Sequence, residues 1–406
     1  MYTTFNLDRF ISTHITGRAE SLLTEDFKNN DAKLHREIDG KSVLVIGGAG
    51  TIGSNYIKAL LRFNPLKLFV VDTNENGLTE LVRDLRSSTL CNIPADFITY
   101  PVNFGSKVFE KIFRSAGPFD IVANFAAHKH VRSEKDVFSI EAMIDNNVLR
   151  ARRLLDLLME APPQHFFCVS TDKAANPVNI MGASKKLMEE LIMAYSSQIN
   201  ITTARFANVA FSNGSLPLGF LERMAKRQPL SCPLGIKRFF VSPRESGEIC
   251  LAASLLGASG DIFFPKLDEH KDMVTFDKIA ISLLNDLGLE PDICRSEDEA
   301  REKALKLTPD STSYPVYFFE SDTSGEKSFE EFYTLQEKLD MDSFAQLGVI
   351  KNAKRRSITE IDNIFERLYA LFASDEVTKA SVVEILSEYL PDFEHIEKGK
   401  HLDQRM

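Results

Sequence analysis

The chain has 406 residues, of which 44% are hydrophobic and 26% charged, and its formal net charge is −10 at pH 7. This composition is typical of a soluble globular protein, and the length predicts one large core or two unequal ones that share a cleft. The acidic balance argues against a general nucleic-acid binder but leaves room for a local basic pocket that binds phosphate.

The cysteine pattern and the N-terminus indicate where the protein works. Five widely spaced cysteines without a CxxC pair predict reduced thiols, with neither disulfides nor a metal site. The sequence has no run of about 18 apolar residues and no apolar core of a signal peptide at its N-terminus, so we expect a cytoplasmic protein without a membrane helix. Residues 1–40 are predicted to form a helical extension, with a short helix or cap near 24–28.

From Lys41 onward, apolar strands alternate with segments of helical period. The first strand, 42–46, is a continuous apolar run of the kind that fills a buried parallel strand, and a helix is predicted at 54–63 after it. Further strands are predicted at 66–72, 95–102, 120–125, 164–170 and 201–206. This alternation predicts an α/β fold with a Rossmann-type doubly wound parallel sheet over residues 41–210.

Beyond residue 210 the alternation weakens, and Gly, Pro and Ser become denser. This change is typical of a smaller lobe that closes over a ligand, and we predict a substrate-binding lobe over 211–350. Within it, a strand at 260–265 is expected to belong to a return to the sheet near 236–265, and a helix is expected at 278–289.

The last segment, 351–406, carries helical spacing at 358–372 and 377–390 with charged outer faces. A solvated helical tail is the favoured interpretation of these two helices. An oligomerisation or capping element is the alternative.

A glycine-rich turn joins the first predicted strand to the first helix. Its sequence, Gly-Gly-Ala-Gly-Thr-Ile-Gly at 47–53, has both GxGxxG and GxxGxxG spacing. Such glycines allow a tight turn, close approach of the backbone to a pyrophosphate, and close packing of helix on strand, while the helix N-terminus faces the negative charge. The residues predicted to bind a dinucleotide here are Gly47, Gly50, Thr51, Ile52 and Gly53.

An acidic residue ends the second strand at the distance that this motif requires, about 20 residues on. Asp72 is placed to accept hydrogen bonds from both ribose hydroxyls and to repel a 2′-phosphate, which favours NAD over NADP. Asn103, after the third strand, is a predicted contact of the adenine. At the end of the fourth strand, small residues let the cofactor lie across the strand ends, and the predicted contacts are Phe125, Ala126 and Ala127. A turn that holds no ligand is the structural alternative.

The segment that follows the fifth strand carries the acid–base signal. Met181 and Lys185 are one helical turn apart on the same face, where a nicotinamide site is expected to hold a reactive tyrosine and a lysine. A methionine cannot take a proton, so we expect the acid–base work at the adjacent Asp172 and Lys173. A surface turn with a solvated ion pair is the structural alternative for these two residues.

Together these motifs resemble the extended short-chain dehydrogenases/reductases of the nucleotide-sugar group, and among them the bacterial UDP-N-acetylglucosamine 4,6-dehydratases of polysaccharide and glycan biosynthesis. The resemblance covers roughly residues 41–330. It rests on motifs that occur in the family's order: the glycine turn at 47–53, Ala-Ala-His-Lys-His-Val at 126–131, Ser-Thr-Asp-Lys-Ala-Ala-Asn-Pro at 170–177, Met-Gly-Ala-Ser-Lys at 181–185, Arg-Phe-Ala-Asn-Val at 205–209, Lys-Arg-Phe-Phe at 237–240 and Gly-Glu-Lys at 325–327.

The resemblance implies a reaction in which tightly bound NAD oxidises the sugar at C4 and is regenerated in each turnover. The new carbonyl acidifies the C5 proton, water is lost across C5 and C6, and the hydride returns to C6. A homo-oligomer is also implied, because dimers through the helices after the fourth and fifth strands are usual in this superfamily.

Specific roles follow for the residues after the fifth strand. Lys185 is expected to bind the nicotinamide ribose, and Met181 resembles the subgroup that retains the configuration at C5. We assign Asp172 as the acid for the 6-hydroxyl, Lys173 as the base for C5 and Thr171 as a hydrogen-bond partner of O4. Burial is expected to push Lys173 towards the neutral form that a base needs. The group that accepts the O4 proton stays open, with Asp172, directly or through water, as first choice.

On the substrate side, the implied ligand is UDP-N-acetylglucosamine. Arg238 is the predicted diphosphate ligand because its planar fork can bind two oxygens. Asn208 and Ser215 are predicted donors to the diphosphate or sugar, and Lys129 and His130 are predicted to position the sugar. The His-Lys-His run lacks a nearby carboxylate or cysteine cluster, so no metal is expected there.

One position departs from the family pattern, which usually has Arg-Pro-Gly-Glu-Lys. Here the sequence from Thr323 to Lys327 is Thr-Ser-Gly-Glu-Lys, with threonine where a second phosphate-binding arginine would be. Two other functions stay open. One is a UDP-N-acetylhexosamine 4-epimerase, which usually relies on tyrosine as the C4 base, and the other is a non-catalytic NAD-binding scaffold or redox sensor.

Overall fold

A nine-stranded sheet forms the centre of the computed structural model, which describes residues 5–320 and 330–396, and two three-stranded sheets accompany it. The strands are β1 Ser42–Ile46, β2 Lys67–Asp72, β3 Asp96–Pro101, β4 Ile121–Asn124, β5 His165–Val169, β6 Ile201–Ala204, β7 Asn208–Val209, β8 Leu230–Pro233, β9 Lys237–Val241, β10 Ile262–Pro265, β11 Met273–Thr275, β12 Glu290–Cys294, β13 Ser313–Phe319, β14 Leu339–Asp340 and β15 Leu347–Ile350.

The order of the large sheet is β3-β2-β1-β4-β5-β6-β10-β15-β14. Its first seven strands pair in parallel, while β15 pairs antiparallel with both β10 and β14. The strand order reverses between β1 and β4, which creates a crevice beyond their carboxyl ends. In open α/β sheets this crevice is where ligands bind.

Helices cover both faces of the large sheet, as a parallel sheet requires. They are α1 Leu7–Phe10, α2 Thr24–Ile38, α3 Thr51–Leu60, α4 Glu75–Ser87, α5 Lys107–Ala116, α6 Val137–Ile144, α7 Arg150–Leu158, α8 Ile180–Ala194, α9 Leu216–Ala225, α10 Pro243–Leu256, α11 Phe276–Asp286, α12 Glu297–Ala304, α13 Ile358–Phe372 and α14 Lys379–Tyr389. A π-helical turn spans 11–15 and another spans 145–149, and short 3₁₀ turns span 131–134 and 172–174.

The six predicted strands up to residue 206 are all present, within two residues at each end. The helix predicted from residue 54 begins earlier, at Thr51, because Gly50 adopts an extended backbone and serves as its N-cap. The apolar residues of β1, β2 and β4 are almost completely buried in one core cluster, as the continuous apolar runs indicated.

The chain after residue 210 does not stay in a separate lobe. A second, smaller core forms where β8, β9, α9 and α11 meet. β10 then rejoins the large sheet beside β6, as predicted for the return strand, and β15 and β14 extend that sheet further. The last two strands were not predicted, because four-residue and two-residue strands leave almost no periodicity in the sequence.

The N-terminal extension is helical and lies against both cores. α1 and the π-helical turn contribute Phe10, Ile11 and Ile15 to the second core, and α2 contributes Leu34 to the main core. Between them, Arg18 donates hydrogen bonds to the carboxylates of Glu245 and Asp272, both at 2.9 Å. The extension therefore links the two parts of the fold.

The favoured prediction of a solvated C-terminal tail is wrong. α13 and α14 bury Ile361, Ile364, Leu368 and Leu386 in the main core cluster, since the apolar stripe of α13 faces the protein. Further on, the backbone N–H of residue 396 donates to the carbonyl of Val178, at 3.0 Å. The segment caps the protein, which was the alternative. Within the described ranges no helix is both long and apolar enough to cross a membrane.

Candidate active site

The crevice at the reversal of strand order holds a cavity of about 370 Å³. Its walls come from the start of α3, the ends of β4 and β5, the start of α8, the segment from β6 through β9, and the start of α11. The predicted site residues that line it are Ile52, Phe125, Ala127, Lys129, His130, Thr171, Lys173, Met181, Lys185, Asn208, Ser215 and Arg238. The sheet topology thus brings together residues from seven separate stretches of sequence.

The glycine turn lies at one end of this cavity, and two of its glycines are required by contacts. Gly47 has φ of +76°, and a Cβ there would lie 2.6 Å from the backbone nitrogen of Ala126. A Cβ on Gly53 would lie 2.3 Å from the carbonyl oxygen of Gly47. Gly50 differs, because its nearest neighbour would be 3.4 Å away. The protein itself therefore does not exclude a side chain at Gly50, whereas close approach of a pyrophosphate to the backbone would.

The N-terminus of α3 lies directly after this turn. Gly50 is the N-cap and has no side chain, so no described residue caps the first N–H groups of α3 through its side chain. The hydroxyl of Thr51 instead accepts a hydrogen bond from the backbone N–H of Asn213, at 2.9 Å. Uncapped N–H groups at a helix start attract anions, so the turn fits the diphosphate of a dinucleotide.

Asp72 stands at the end of β2, beside the same turn. One carboxylate oxygen accepts from the N–H of Ala49 at 3.0 Å and the other from the N–H of Asn74 at 2.9 Å. The carboxylate is thereby held at the position where a ribose would lie next to the turn. Asn103 does not line the cavity, and its side-chain oxygen accepts a hydrogen bond from Gly105 N–H at 2.8 Å. Its oxygen therefore shapes a local turn.

The three residues after β5 form one hydrogen-bonded group. A single oxygen of the buried Asp172 carboxylate accepts from the hydroxyl of Thr171 at 2.7 Å and from Lys173 Nζ at 3.1 Å. Thr171 and Lys173 reach the cavity wall, whereas Asp172 lies directly behind them. The structure therefore brings the predicted acid and base together and excludes a fully solvated surface pair.

Sequence reasoning missed the second carboxylate that faces Lys173. Glu330 is buried, and one of its carboxylate oxygens lies 3.6 Å from Lys173 Nζ. In the sequence, Glu330 stands out only because it follows the Gly-Glu-Lys motif by three residues. That spacing does not predict that it contacts Lys173.

The expectation that burial makes Lys173 neutral is corrected by this contact. Burial is the largest influence and lowers the pKa of the ammonium, but Asp172 and Glu330 together outweigh it, so the pKa of Lys173 is raised above its ordinary value. The free protein therefore holds Lys173 in the charged form.

Met181 and Lys185 lie on the same wall, as the helical spacing predicted. Met181 is buried, and its backbone N–H donates to a carboxylate oxygen of Glu134 at 2.9 Å. Lys185 Nζ donates to the carbonyl of Val169 at 2.6 Å. Burial lowers the pKa of Lys185, although the nearby Cys168 and Glu189 act in the opposite direction.

Four basic side chains line the cavity. Lys129, Lys173, Lys185 and Arg238 all line it, and the described lining residues include no carboxylate. Arg238 is buried on β9, and its guanidinium donates to the carbonyl of Lys237 at 2.8 Å. Such a surface attracts an anion with several charges.

The remaining predicted substrate contacts lie on the same side. The ring of His130 packs against Gly214, where a Cβ would meet it at 3.0 Å. Asn208 lies on β7 and lines the cavity. The hydroxyl of Ser215 caps α9 by accepting from Leu218 N–H at 3.3 Å. Thr323 and the Gly-Glu-Lys motif at 325–327 lie outside the described residues.

The doubly wound sheet, with the glycine turn at its reversal and Lys185 on the following cavity wall, is the fold of an extended short-chain dehydrogenase/reductase of Rossmann type, as predicted. The chain belongs to the family described as polysaccharide biosynthesis protein, whose sequence profile matches residues 43–351.

Three proteins are similar to this chain in sequence. The chain is 29% identical over 325 residues to the uncharacterized membrane protein MJ1061 of Methanocaldococcus jannaschii, covering 78% of this chain and 90% of that protein. It is 28% identical over 295 residues to the capsular polysaccharide biosynthesis protein CapD of Staphylococcus aureus, covering 70% of this chain and 49% of CapD, so it spans about half of CapD. It is 26% identical over 242 residues to an inverting UDP-N-acetylglucosamine 4,6-dehydratase of Campylobacter jejuni, covering 57% of this chain and 69% of that enzyme.

Solved structures with the same fold include Pen from Bacillus thuringiensis, with a TM-score of 0.62 and 20% identity, covering 79% of this chain and 91% of that one. Another is a double mutant of DesIV, a dTDP-glucose 4,6-dehydratase from Streptomyces venezuelae with NAD and DAU bound, with a TM-score of 0.53 and 18% identity, covering 71% of this chain and 87% of that one. At such low sequence identities, the similarity shows a shared fold and no more.

Proposed function

We propose that this protein is an NAD-dependent nucleotide-sugar 4,6-dehydratase that converts UDP-N-acetylglucosamine to a UDP-2-acetamido-2,6-dideoxy-4-keto-hexose. The observation that carries the proposal is the contact of Asp172 with Lys173, at 3.1 Å, beside a basic cavity at the reversal of strand order. The named activity of the Campylobacter jejuni relative supports the substrate and reaction.

The residues around the glycine turn fit NAD. The backbone at Gly50 and the uncapped start of α3 would receive the diphosphate, Asp72 would bind the adenosine ribose, and Lys185 would bind the nicotinamide ribose. NAD, when bound, supplies the acceptor for the hydride of C4 and its return to C6. The NAD named in the DesIV structure supports this cofactor.

Asp172 and Lys173 divide the proton transfers between them. Asp172 takes the proton of O4, directly or through water, and later gives it to the departing 6-hydroxyl, which leaves as water. Lys173, as the free amine, takes the proton from C5 and afterwards returns a proton to C5. Both residues then regain their starting states, so the protons balance over a turnover. The hydroxyl of Thr171, which donates to Asp172 at 2.7 Å, holds the carboxylate in its orientation.

The basic residues that line the cavity support a substrate whose sugar is carried on a nucleoside diphosphate. Arg238 would bind the diphosphate, with Asn208 and Ser215 as further donors, and Lys129 and His130 would contact the sugar. Retention of configuration at C5 is the finer proposal, since Met181 takes the position where the inverting subgroup is expected to have tyrosine.

Incubating the purified protein with UDP-N-acetylglucosamine in D₂O tests the reaction. A dehydratase gives a 4-keto-6-deoxy product with solvent deuterium at C5, because the proton on Lys173 exchanges with solvent before it returns. One NMR spectrum reports the reaction type and the C5 configuration together. Formation of UDP-N-acetylgalactosamine without deuterium at C5 would instead identify a 4-epimerase, and no conversion would support a scaffold.

The two proposed catalytic residues can be tested separately from cofactor binding. Lys173→Ala and Asp172→Asn should abolish the product while the protein still binds NAD, since neither residue belongs to the glycine turn. Met181→Ala serves as the matched control on the same cavity wall and should reduce turnover much less. Full turnover of Lys173→Ala would disprove the assignment of the base.

A further inference from the structure

Glu330 gives Lys173 a second counter-ion, from a part of the chain far from β5. Its carboxylate lies 3.6 Å from Lys173 Nζ, and the side chain is only 5% exposed. Asp172 contacts the same ammonium at 3.1 Å. Lys173 therefore lies between two buried carboxylates, of which the mechanism uses only Asp172.

The segment that carries Glu330 is held in place by a buried arginine. Arg205, at the end of β6, donates to the backbone carbonyl of Phe332 at 3.0 Å. The same guanidinium forms two hydrogen bonds to Glu337, both at 2.9 Å, and two to Glu189 on α8, both at 2.8 Å. These contacts fix the backbone two residues after Glu330 to the large sheet, so the position of its carboxylate is built into the fold.

Charged groups reach Lys173 from three directions. Asp172 is its neighbour in the chain, Glu330 comes from the segment before β14, and Arg238 comes from β9. The two carboxylates favour the ammonium form, while Arg238 and burial oppose it. Lys185 lines the same cavity from α8. Without Glu330, Asp172 would be the one carboxylate of this pair that opposes both Arg238 and burial.

We propose that Glu330 is a positioning residue that keeps Lys173 in the ammonium form between turnovers and thereby sets the pH above which this site can act as a base. The catalytic consequence rests on the proposed function, whereas the effect on Lys173 itself does not. Lys173 becomes the free amine by losing its proton to solvent. Removing the charge of Glu330 makes that loss easier, so the free amine should prevail at lower pH.

Trace acetylation with acetic anhydride tests the first part without substrate. Only the free amine reacts, so the pH dependence of Lys173 labelling, measured by mass spectrometry against the exposed Lys28, reports its protonation. In Glu330→Gln the labelling should rise at lower pH than in the wild type, giving several-fold more labelled Lys173 at a pH where the wild type is mostly protonated. Identical labelling curves would overturn the proposal.

Glu331→Gln is the matched control, because Glu331 is exposed and contacts Asn176 rather than Lys173. Its labelling curve should coincide with that of the wild type. Glu330→Asp keeps the charge on a shorter side chain and should give a curve between those of the wild type and Glu330→Gln. This variant also keeps the test decisive if Glu330→Gln does not fold.

The pH profile of kcat/KM tests the second part. Its ascending limb reports the free enzyme, so Glu330→Gln should move that limb to lower pH while Glu331→Gln leaves it in place. If Glu330→Gln instead lowers kcat/KM equally at every pH and leaves the ascending limb in place, Glu330 has a structural role and does not set the pH dependence. If the wild type makes no dehydrated product, the proposed function fails, and the labelling comparison still decides the role of Glu330.

Discussion

Gly47, Gly50 and Gly53 have different reasons for lacking a side chain. Gly47 has a positive φ, and a Cβ there would clash with the backbone at Ala126, while a Cβ on Gly53 would clash with the carbonyl of Gly47. Gly50 has φ of −73°, which any residue can adopt, and a Cβ there would lie no closer than 3.4 Å to another residue. Packing within the protein explains the first two glycines, whereas the third has no such clash, and we propose that it leaves room for the diphosphate of the cofactor.

Two alanine substitutions should separate these roles. In Gly53→Ala the new Cβ meets the Gly47 carbonyl at 2.3 Å, so the turn must shift, and both the melting temperature and NAD affinity should fall. Gly50→Ala should keep the wild-type melting temperature but lose at least about tenfold in NAD affinity, because the methyl group occupies the space for the diphosphate. Thermal unfolding and NAD titration measure both effects. Equal affinity of Gly50→Ala and the wild type would place the diphosphate elsewhere.

At the scale of elements, one ion-pair network joins β6, α8 and the segment before β14. Arg205 is completely buried and is shared by Glu189 and Glu337, while Glu189 also accepts from the hydroxyl of Ser170 at 2.6 Å. Burial raises the pKa of Glu189, but Arg205 outweighs it, and the pKa lies below its ordinary 4.5. If Glu189 loses its charge, Arg205 keeps Glu337 as a carboxylate partner, but two of its buried hydrogen bonds lose their charged acceptor.

Glu189→Gln should therefore destabilise the protein by about 1–3 kcal/mol near neutral pH. The pKa of Glu189 is lower in the folded than in the unfolded state. Its ionised carboxylate therefore stabilises the protein above the ordinary carboxyl pKa, and this stabilisation is lost as the pH falls through the folded-state pKa. The gap in unfolding free energy between wild type and variant should narrow below pH 4.5. Urea unfolding at several pH values measures it, with the exposed Glu222→Gln as control. A gap that stays constant would show that Glu189 contributes through packing alone.

At the scale of the whole molecule, both terminal segments belong to the folded unit. α13 packs against α8, and Asp362 of α13 forms an ion pair with Arg152 of α7. Close to the site, residue 394 donates its backbone N–H to the carbonyl of Pro177, at 3.3 Å, and His395 lies 3.6 Å from Glu134. The C-terminal segment thus supports the loop between Asp172 and Met181.

Removing residues 357–406 should lower the urea midpoint of the remaining protein, because the apolar surface beneath α13 becomes exposed. Leu368→Ala, which empties a fully buried position on α13, should cost about 2–5 kcal/mol in a single cooperative transition. The exposed Glu366→Ala on the same helix is the control and should stay near the wild type. Two separate transitions, with an unchanged midpoint for the core, would instead mean that α13 and α14 form an independent unit.

Much of this architecture was predictable because its signals are local. The continuous apolar runs predicted the buried parallel strands, and the glycine spacing between β1 and α3 predicted the turn. Met181 and Lys185 were placed on one face by helical periodicity alone. The apolar stripe of α13 was visible too, but periodicity reports that a face is buried and not what buries it.

The sequence by itself determined the fold class, the site of the glycine turn and the pairing of Asp172 with Lys173, since each depends on residues a few positions apart. Only the tertiary structure placed Lys173 between two buried carboxylates, because Glu330 reaches it from a distant part of the chain and its carboxylate acts against the effect of burial on the pKa. The same holds for the C-terminal helices, whose buried face meets a surface built from distant segments. Contacts between distant segments leave no spacing in a single sequence, and here they set the electrostatics of the site.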